Sequence, residues 1–214
     1  LGNYLMPYFH IDTRQFSWLV AAYSVSAAVS GFGAAFFVDQ YDRKKILLLG
    51  YSGFLLGTIA CGFAPNYFLL FSSRIIAGLF GGLIGAPVLS LVSALFSYER
   101  RARAMGSIMS AFAVASTFGV PFALYLSNAF SWHAPFLLVG FLGIIIIPLI
   151  IYFIPPMTAH RIEKRGLRES RQVLTTVLNQ PRQRNALLFS GMVMMGHFFI
   201  IPFINPFMEL NNGF

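Results

Sequence analysis

Apolar residues run along this chain in long blocks separated by short polar turns. Ser17 to Val38 carries no charge, the stretch Asp39-Gln40-Tyr41-Asp42-Arg43-Lys44-Lys45 interrupts, and a second uncharged block follows from Ile46 to Ala64. Each block has the ~20 residues that a helix needs to cross a ~30 Å hydrocarbon core. The same pattern predicts complete spans at about 17–38, 46–64, 68–95, 104–126 and 134–154, and a further one at about 185–207. Leu1 to Tyr8 reads as the outer end of one more. Runs of this length without period-two alternation argue against a β-barrel. The expected fold is therefore all-α, a polytopic transmembrane helical bundle.

Composition agrees. The chain is 57% hydrophobic and only 10% charged, with a mean hydropathy of +0.71, against about 25% charged residues in a soluble domain. So few charges cannot clothe a water-facing surface, so lipid is the expected solvent. The net charge of +8 would suit nucleic acid, but its distribution does not. All of the 15 Lys and Arg except Arg14 and Arg74 lie in three segments, around 43–45, 100–103 and 161–184. The segments between them, His10 to Gln15, Pro65 to Tyr67 and Ser127 to His133, are nearly free of bases. Such alternation is the positive-inside pattern and makes the three basic segments cytoplasmic. The stub at Leu1 is then span 1, running outward, and spans 2 to 7 follow. Three regions are expected: a membrane half at 1–154, a basic linker at 155–184, and 185–214 as the start of a second half. With no initiator Met and an apolar beginning, the chain reads as a fragment of something longer. Its one cysteine, Cys61, lies within a span, which excludes a disulfide framework or a Cys-based metal site.

Local features refine the picture. Tyr67 and Trp132 are expected at the outer interface, where amphipathic rings are favoured. Small residues at i, i+4 spacing (Gly53 and Gly57, Gly78 and Gly82, Gly81 and Gly85, Ala115 and Gly119) would let helices approach closely. Pro87, Pro121, Pro148, Pro202 and Pro206 mark expected kinks. In the linker, Val173, Leu174, Val177 and Leu178 form a stripe at helical spacing, which fits an amphipathic helix on the inner membrane surface as well as a solvated basic linker.

Six spans, a long basic linker and a new set of spans resemble the layout of the major facilitator superfamily of transporters. That family's loop between spans 2 and 3 follows a Gly-x-x-x-Asp-basic-x-Gly-basic-basic pattern. Here Asp39 and the trailing Arg43 and Lys44 match, while Ala35, Gln40 and Asp42 depart from it. Span 4 carries Arg74-Ile-Ile-Ala77-Gly78-Leu-Phe80-Gly81, similar to the family's Arg-x-x-Gln-Gly-x-Gly. Span 5 carries Gly106 and then Ala115-Ser-Thr-Phe-Gly119-Val-Pro121, similar to the motif of drug and sugar efflux antiporters. Together with Trp132-His133-Ala134-Pro135-Phe136, this variant looks most like the bacterial drug and arabinose-efflux-type permeases.

The resemblance implies roles. Asp39, Asp42, Arg43 and Lys44 would form a cytoplasmic gate; the alternative is that the bases only set topology, which leaves the acid Asp39 unexplained. A charge deep in a span costs ~2.5–3.5 kcal/mol on insertion scales, so Arg74 should face a partner or a wet cavity and serve proton coupling or substrate binding. The alternative is an anchor that snorkels to the outer interface. Gly106, Ala115, Gly119 and Pro121 would give span 5 the bendable, closely packed form linked to antiport; ordinary packing explains them nearly as well. His197 suits a proton relay or a packing role. No Asp or Glu lies deep in spans 2 to 6, so the acid of a proton-coupled carrier would have to lie elsewhere. His133 reads as structural, and Met192, Met194 and Met195 as pocket or packing residues.

Gly31-Phe-Gly33-Ala-Ala-Phe36 only imitates a dinucleotide fingerprint, since it lacks the third Gly and lies in a span. No Walker motif, catalytic triad or metal-ligand cluster is present. The expectation is a non-enzymatic membrane carrier with no cofactor, bound metal or nucleic acid. Its partners would be the bilayer, protons and a small solute, drug- or sugar-like, exported by antiport through the inner membrane of a bacterium. When full length it would be a monomer. Uptake or facilitated diffusion on the same fold, and a non-transporting receptor or scaffold, are the alternatives.

Overall fold

The computed structural model describes residues 2–34, 41–155, 175–176, 179–193 and 195–196. The chain forms two compact units, Leu1–Lys164 and Arg165–Phe214. In the second unit, residues 181–193 are helical and exposed. The described residues of the first unit form seven helices and no strand: α1 (Gly2–Phe9), α2 (Thr13–Ala34), α3 (Arg43–Gly62), α4 (Tyr67–Gly81), α5 (Gly85–Leu95), α6 (Tyr98–Ala129) and α7 (His133–Phe153). Counted as one segment, α4 and α5 complete a set of five stretches long and apolar enough to cross a membrane: Thr13–Ala34, Arg43–Gly62, Tyr67–Leu95, Tyr98–Ala129 and His133–Phe153. These correspond to the five spans expected between 17 and 154, with ends shifted by a few residues.

The helix starts are written in polar residues. Asp12 Oδ1 accepts from the Gln15 N–H at 2.7 Å and Gln15 Oε1 accepts from the Asp12 N–H at 3.1 Å, a reciprocal capping box at the entrance to α2. His10 adopts a left-handed backbone with φ 51° and reverses the chain between α1 and α2. Asp42 caps α3 by accepting from the Lys44 N–H at 2.9 Å. Asn66 caps α4 by accepting from the Leu69 N–H at 2.8 Å. Each cap satisfies an amide that has no partner within its own helix.

Span 4 is broken. After Gly81 the chain makes a tight turn, with Leu83 N–H donating to Phe80 O and Ile84 N–H to Gly81 O, both at 3.1 Å, before α5 resumes at Gly85. Pro87 has no N–H and its ring excludes the carbonyl four residues back, so the helix cannot run through undisturbed. The turn leaves the Leu79 carbonyl without its usual amide four residues on, and the Ser30 hydroxyl of α2 donates to it. Neighbouring helices are what make such breaks tolerable in a membrane. Of the other prolines, Pro121 and Pro148 lie inside the continuous helices α6 and α7, and Pro202 and Pro206 lie outside the described residues.

Helices α2, α3, α4 and α7 make the body of the unit, with α3 against α4 and α7, and α2 against α4. Glycine permits this closeness. A Cβ on Gly57 would lie 2.7 Å from the Ala77 nitrogen, and one on Gly82 would lie 3.0 Å from Gly31 N. Gly53 and Gly78 are equally confined, against Phe80 and Ser26. By contrast, a Cβ on Gly85, Gly106 or Gly119 meets nothing within 4 Å. The small residues of α6 therefore do not mediate a close helix approach among the described residues. Only Ser127 of that helix is buried. Outward faces bear large apolar side chains, including Leu56, Phe118, Tyr125 and Ile145, as lipid-facing helices must.

One end of the body is closed by Leu5, Leu19, Cys61, Ala64, Leu70 and Trp132, the other by Leu47, Leu91 and Ile150. Trp132, at the start of α7, is only 4% exposed. Tyr8, Phe9 and Phe136 surround it edge-on, so aromatic packing recruits it to the core.

Candidate functional site

Arg74 stands two turns into α4. Leu70 and Ala77, one turn away on either side, are buried, as is Ser73, so helical periodicity puts the arginine on the inward stripe. Its guanidinium carbon lies 5.0 Å over the ring of Phe136 on α7, within the range of a cation–π contact. Its Nε is buried and has no hydrogen-bond partner among the described residues.

Beside the guanidinium is a cavity of about 300 Å³ where four spans meet. Tyr23 comes from α2, Phe54, Thr58 and Cys61 from α3, Ala77 from α4, and Pro135, Phe136 and Val139 from α7. The Thr58 hydroxyl donates to Phe54 O at 2.8 Å, leaving its lone pairs as acceptors. Cys61 is a buried free thiol. Among the described residues, no acidic side chain lines this space, and no group of three or more His, Cys, Asp or Glu could hold a metal ion. The cavity can hold a small, mostly apolar molecule and offers it one fixed positive charge.

An aromatic collar lies at the end of α7 nearest this cavity. Trp132 and His133 stack with centroids 3.7 Å apart, and Tyr8 meets both edge-on at 5.3 and 5.8 Å. His133 Nδ1 lies 2.7 Å from Gly62 O; since a carbonyl can only accept, this nitrogen carries the proton and donates. That bond ties α7 to the end of α3, in keeping with a structural role. The Tyr67 hydroxyl donates to Gln15 O at 3.1 Å, and that of Tyr4 donates to Asn128 Oδ1.

At the opposite end, Asp42 is buried as the cap of α3. The Lys44 ammonium donates to Ile151 O at 2.7 Å, in the last turn of α7, where a cation also meets the negative end of the helix dipole. Of the residues expected at a gate, Lys44 thus ties α3 to α7 within one unit, while Asp42 caps α3. Arg43 is half-buried and Lys45 exposed. Asp39, with Ala35 and Gln40, lies outside the described residues, as do His197, Met194 and all four residues of the linker stripe. Ala115 and Gly119, with Ser116 and Ala123, line a shallow groove formed by α6 alone; Gly106 and Pro121 are exposed on the same helix.

Structure thus joins Arg74 to residues that sequence did not single out as ligands: Tyr23, Thr58, Cys61 and above all Phe136. Phe136 is 62 positions further along the chain, and only the folding of α4 and α7 against α3 brings the ring and the charge together. Nothing in a one-dimensional pattern marks that pairing. The break in span 4 was more legible, since Gly81-Gly82 precedes Pro87 by a few residues.

The model of one protein family, described as Major Facilitator Superfamily, matches residues 1–214. The chain is 24% identical over 195 residues to the uncharacterized MFS-type transporter YceJ of Bacillus subtilis, covering 91% of this chain and 47% of that protein. It is 34% identical over 129 residues to the multidrug resistance protein Stp of Mycobacterium tuberculosis, covering 60% of this chain and 24% of Stp. It is also 34% identical over 126 residues to the vacuolar membrane amino acid uptake transporter fnx2 of Schizosaccharomyces pombe, covering 58% and 22%. The chain therefore spans less than half the length of these relatives.

Proposed function

We infer the function from one fact above all: this chain belongs to the Major Facilitator Superfamily, and it is a multi-pass membrane protein with five apolar helices of spanning length among its described residues. We propose that it forms part of a secondary transporter. It moves a small organic solute by alternating access, in which two halves rock about a site near the bilayer midplane. The observation that carries this reading is the cavity at Arg74. A cation within a span lies beside a space large enough for a small ligand and lined from four spans.

Export by proton antiport, across the inner membrane of a bacterium with the basic loops inside, is the form we favour. It is supported by the charge alternation and by the likeness to a multidrug resistance protein. In this reading Arg74 and His197 serve the cavity and its protons, Asp39 and Arg43 latch the cytoplasmic side, and the small residues of α6 let that helix bend. The test is gradient-driven flux in proteoliposomes holding the full-length protein. Arg74→Ala should lower it at least tenfold while insertion is unchanged; undiminished flux would remove Arg74 from the mechanism. A second reading, uptake, draws on the likeness to an amino acid uptake transporter. Reversing the imposed proton gradient separates the two by the sign of the flux.

A further inference from the structure

We propose that the cavity at Arg74 selects an organic monoanion: one carboxylate on a small apolar or aromatic body. This rests on the transport reading of the same site and names its substrate class. The argument begins with charge. A guanidinium stays protonated at any ordinary pH and offers five donors in a planar fork. In a span it needs a partner or a wet cavity, and among the described residues the cavity wall supplies no acid. Among the described residues, the acids Asp12, Asp42 and Glu99 all sit at helix starts: two as caps of α2 and α3, the third in the first turn of α6. The guanidinium carbon lies over the ring of Phe136. The Nε donor is buried without a partner among the described residues. A planar carboxylate, approaching in the plane with two parallel bonds, satisfies fork and charge together.

Size and polarity narrow the class. About 300 Å³ is the lower end of ligand-pocket volumes, so the body is small. Phe54, Ala77 and Val139 give it apolar walls. An ammonium-bearing ligand finds no acid among the described residues of these walls. A lipophilic cation would meet the Arg74 charge with no compensation, and a zwitterionic amino acid would have its ammonium unpaired. A neutral amide of the same shape can accept one bond from the guanidinium but cannot neutralise it.

The experiment uses the full-length protein in phosphatidylcholine nanodiscs, where no anionic lipid headgroup competes. Benzoate and indole-3-acetate are compared with benzamide, indole-3-acetamide and phenethylammonium, reading the ligand-induced rise in Tm. The carboxylates should bind at least tenfold more tightly than the amides, and phenethylammonium should give no shift. Arg74→Met should abolish the preference, and Arg74→Lys should keep a part of it, since a point charge remains without the fork. Val139→Phe, which narrows the cavity from a position 53% exposed and leaves the charge alone, should weaken both carboxylates. Equal binding of acids and amides, binding of neither, or unchanged acid binding in Arg74→Met each overturns the proposal. Flux in proteoliposomes keeps the two readings apart. Gradient-driven flux of a neutral or cationic probe without acid binding removes the anion site and leaves transport. Acid binding without flux of any probe leaves the site and removes transport.

Discussion

Replacing Gly57 by alanine puts one methyl where the α3 and α4 backbones meet. Its Cβ would lie 2.7 Å from Ala77 N, 2.8 Å from Ala77 Cα and 2.9 Å from Ala77 Cβ. Carbon contacts are comfortable at about 3.5–4.0 Å, so the helices must part by roughly 0.7–1 Å. None of the three atoms belongs to a flexible side chain that could swing aside. Overpacking of this kind costs about 1–3 kcal/mol, offset by the ~1 kcal/mol by which alanine exceeds glycine inside a helix. The net expectation is a loss of up to about 2 kcal/mol. Gly106→Ala is the control: with nothing within 4 Å of its Cβ, only the propensity gain remains, up to ~1 kcal/mol. Unfolding in mixed micelles at rising SDS fractions measures both. Ala77→Gly in the Gly57→Ala background removes one of the three close contacts and should restore part of the loss. If Gly57→Ala proves as stable as the parent, or no worse than Gly106→Ala, glycine-mediated contact of α3 with α4 is not what holds the unit together.

Three further substitutions probe single contacts in the same assay. Asp42→Ala should cost about 0.5–2 kcal/mol as a lost cap, and Asp42→Asn much less, since its amide oxygen still accepts from the Lys44 N–H; equal losses would speak against capping. Lys44→Met should cost ~1 kcal/mol by removing the bond to Ile151 O, yet leave the orientation of the loop in the membrane unchanged, because Arg43 and Lys45 remain; labelling of an introduced cysteine from either side reads the orientation. Tyr51→Phe deletes the hydroxyl that donates to Gly143 O at 3.2 Å and should cost about 0.5 kcal/mol; no change would mean that this bond adds nothing to the packing of α3 on α7.

The spans were legible because lipid enforces a simple rule, that every crossing segment be apolar and about twenty residues long. Arg74 was legible as an anomaly for the same reason. The small-residue spacing was a weaker guide: it identified Gly57 and Gly78, which do sit in tight crossings, and equally Gly119, which does not. Spacing shows that a helix can be approached, and only its neighbours decide whether it is. At Trp132 the span-end position was legible, but not that the rings of Tyr8, Phe9 and Phe136 pack around it.

By itself, then, the sequence determined the helical class, the crossing segments and the family, since these follow from solvent, length and local pattern. Tertiary structure decided the partners. It set Phe136 over Arg74, the Lys44 ammonium on the end of α7 and the Ser30 hydroxyl on the carbonyl that the break in span 4 leaves open. Each is a meeting of helices far apart in the chain. Distance and direction between them arise only when backbones dock, and no periodicity along one strand of text encodes them.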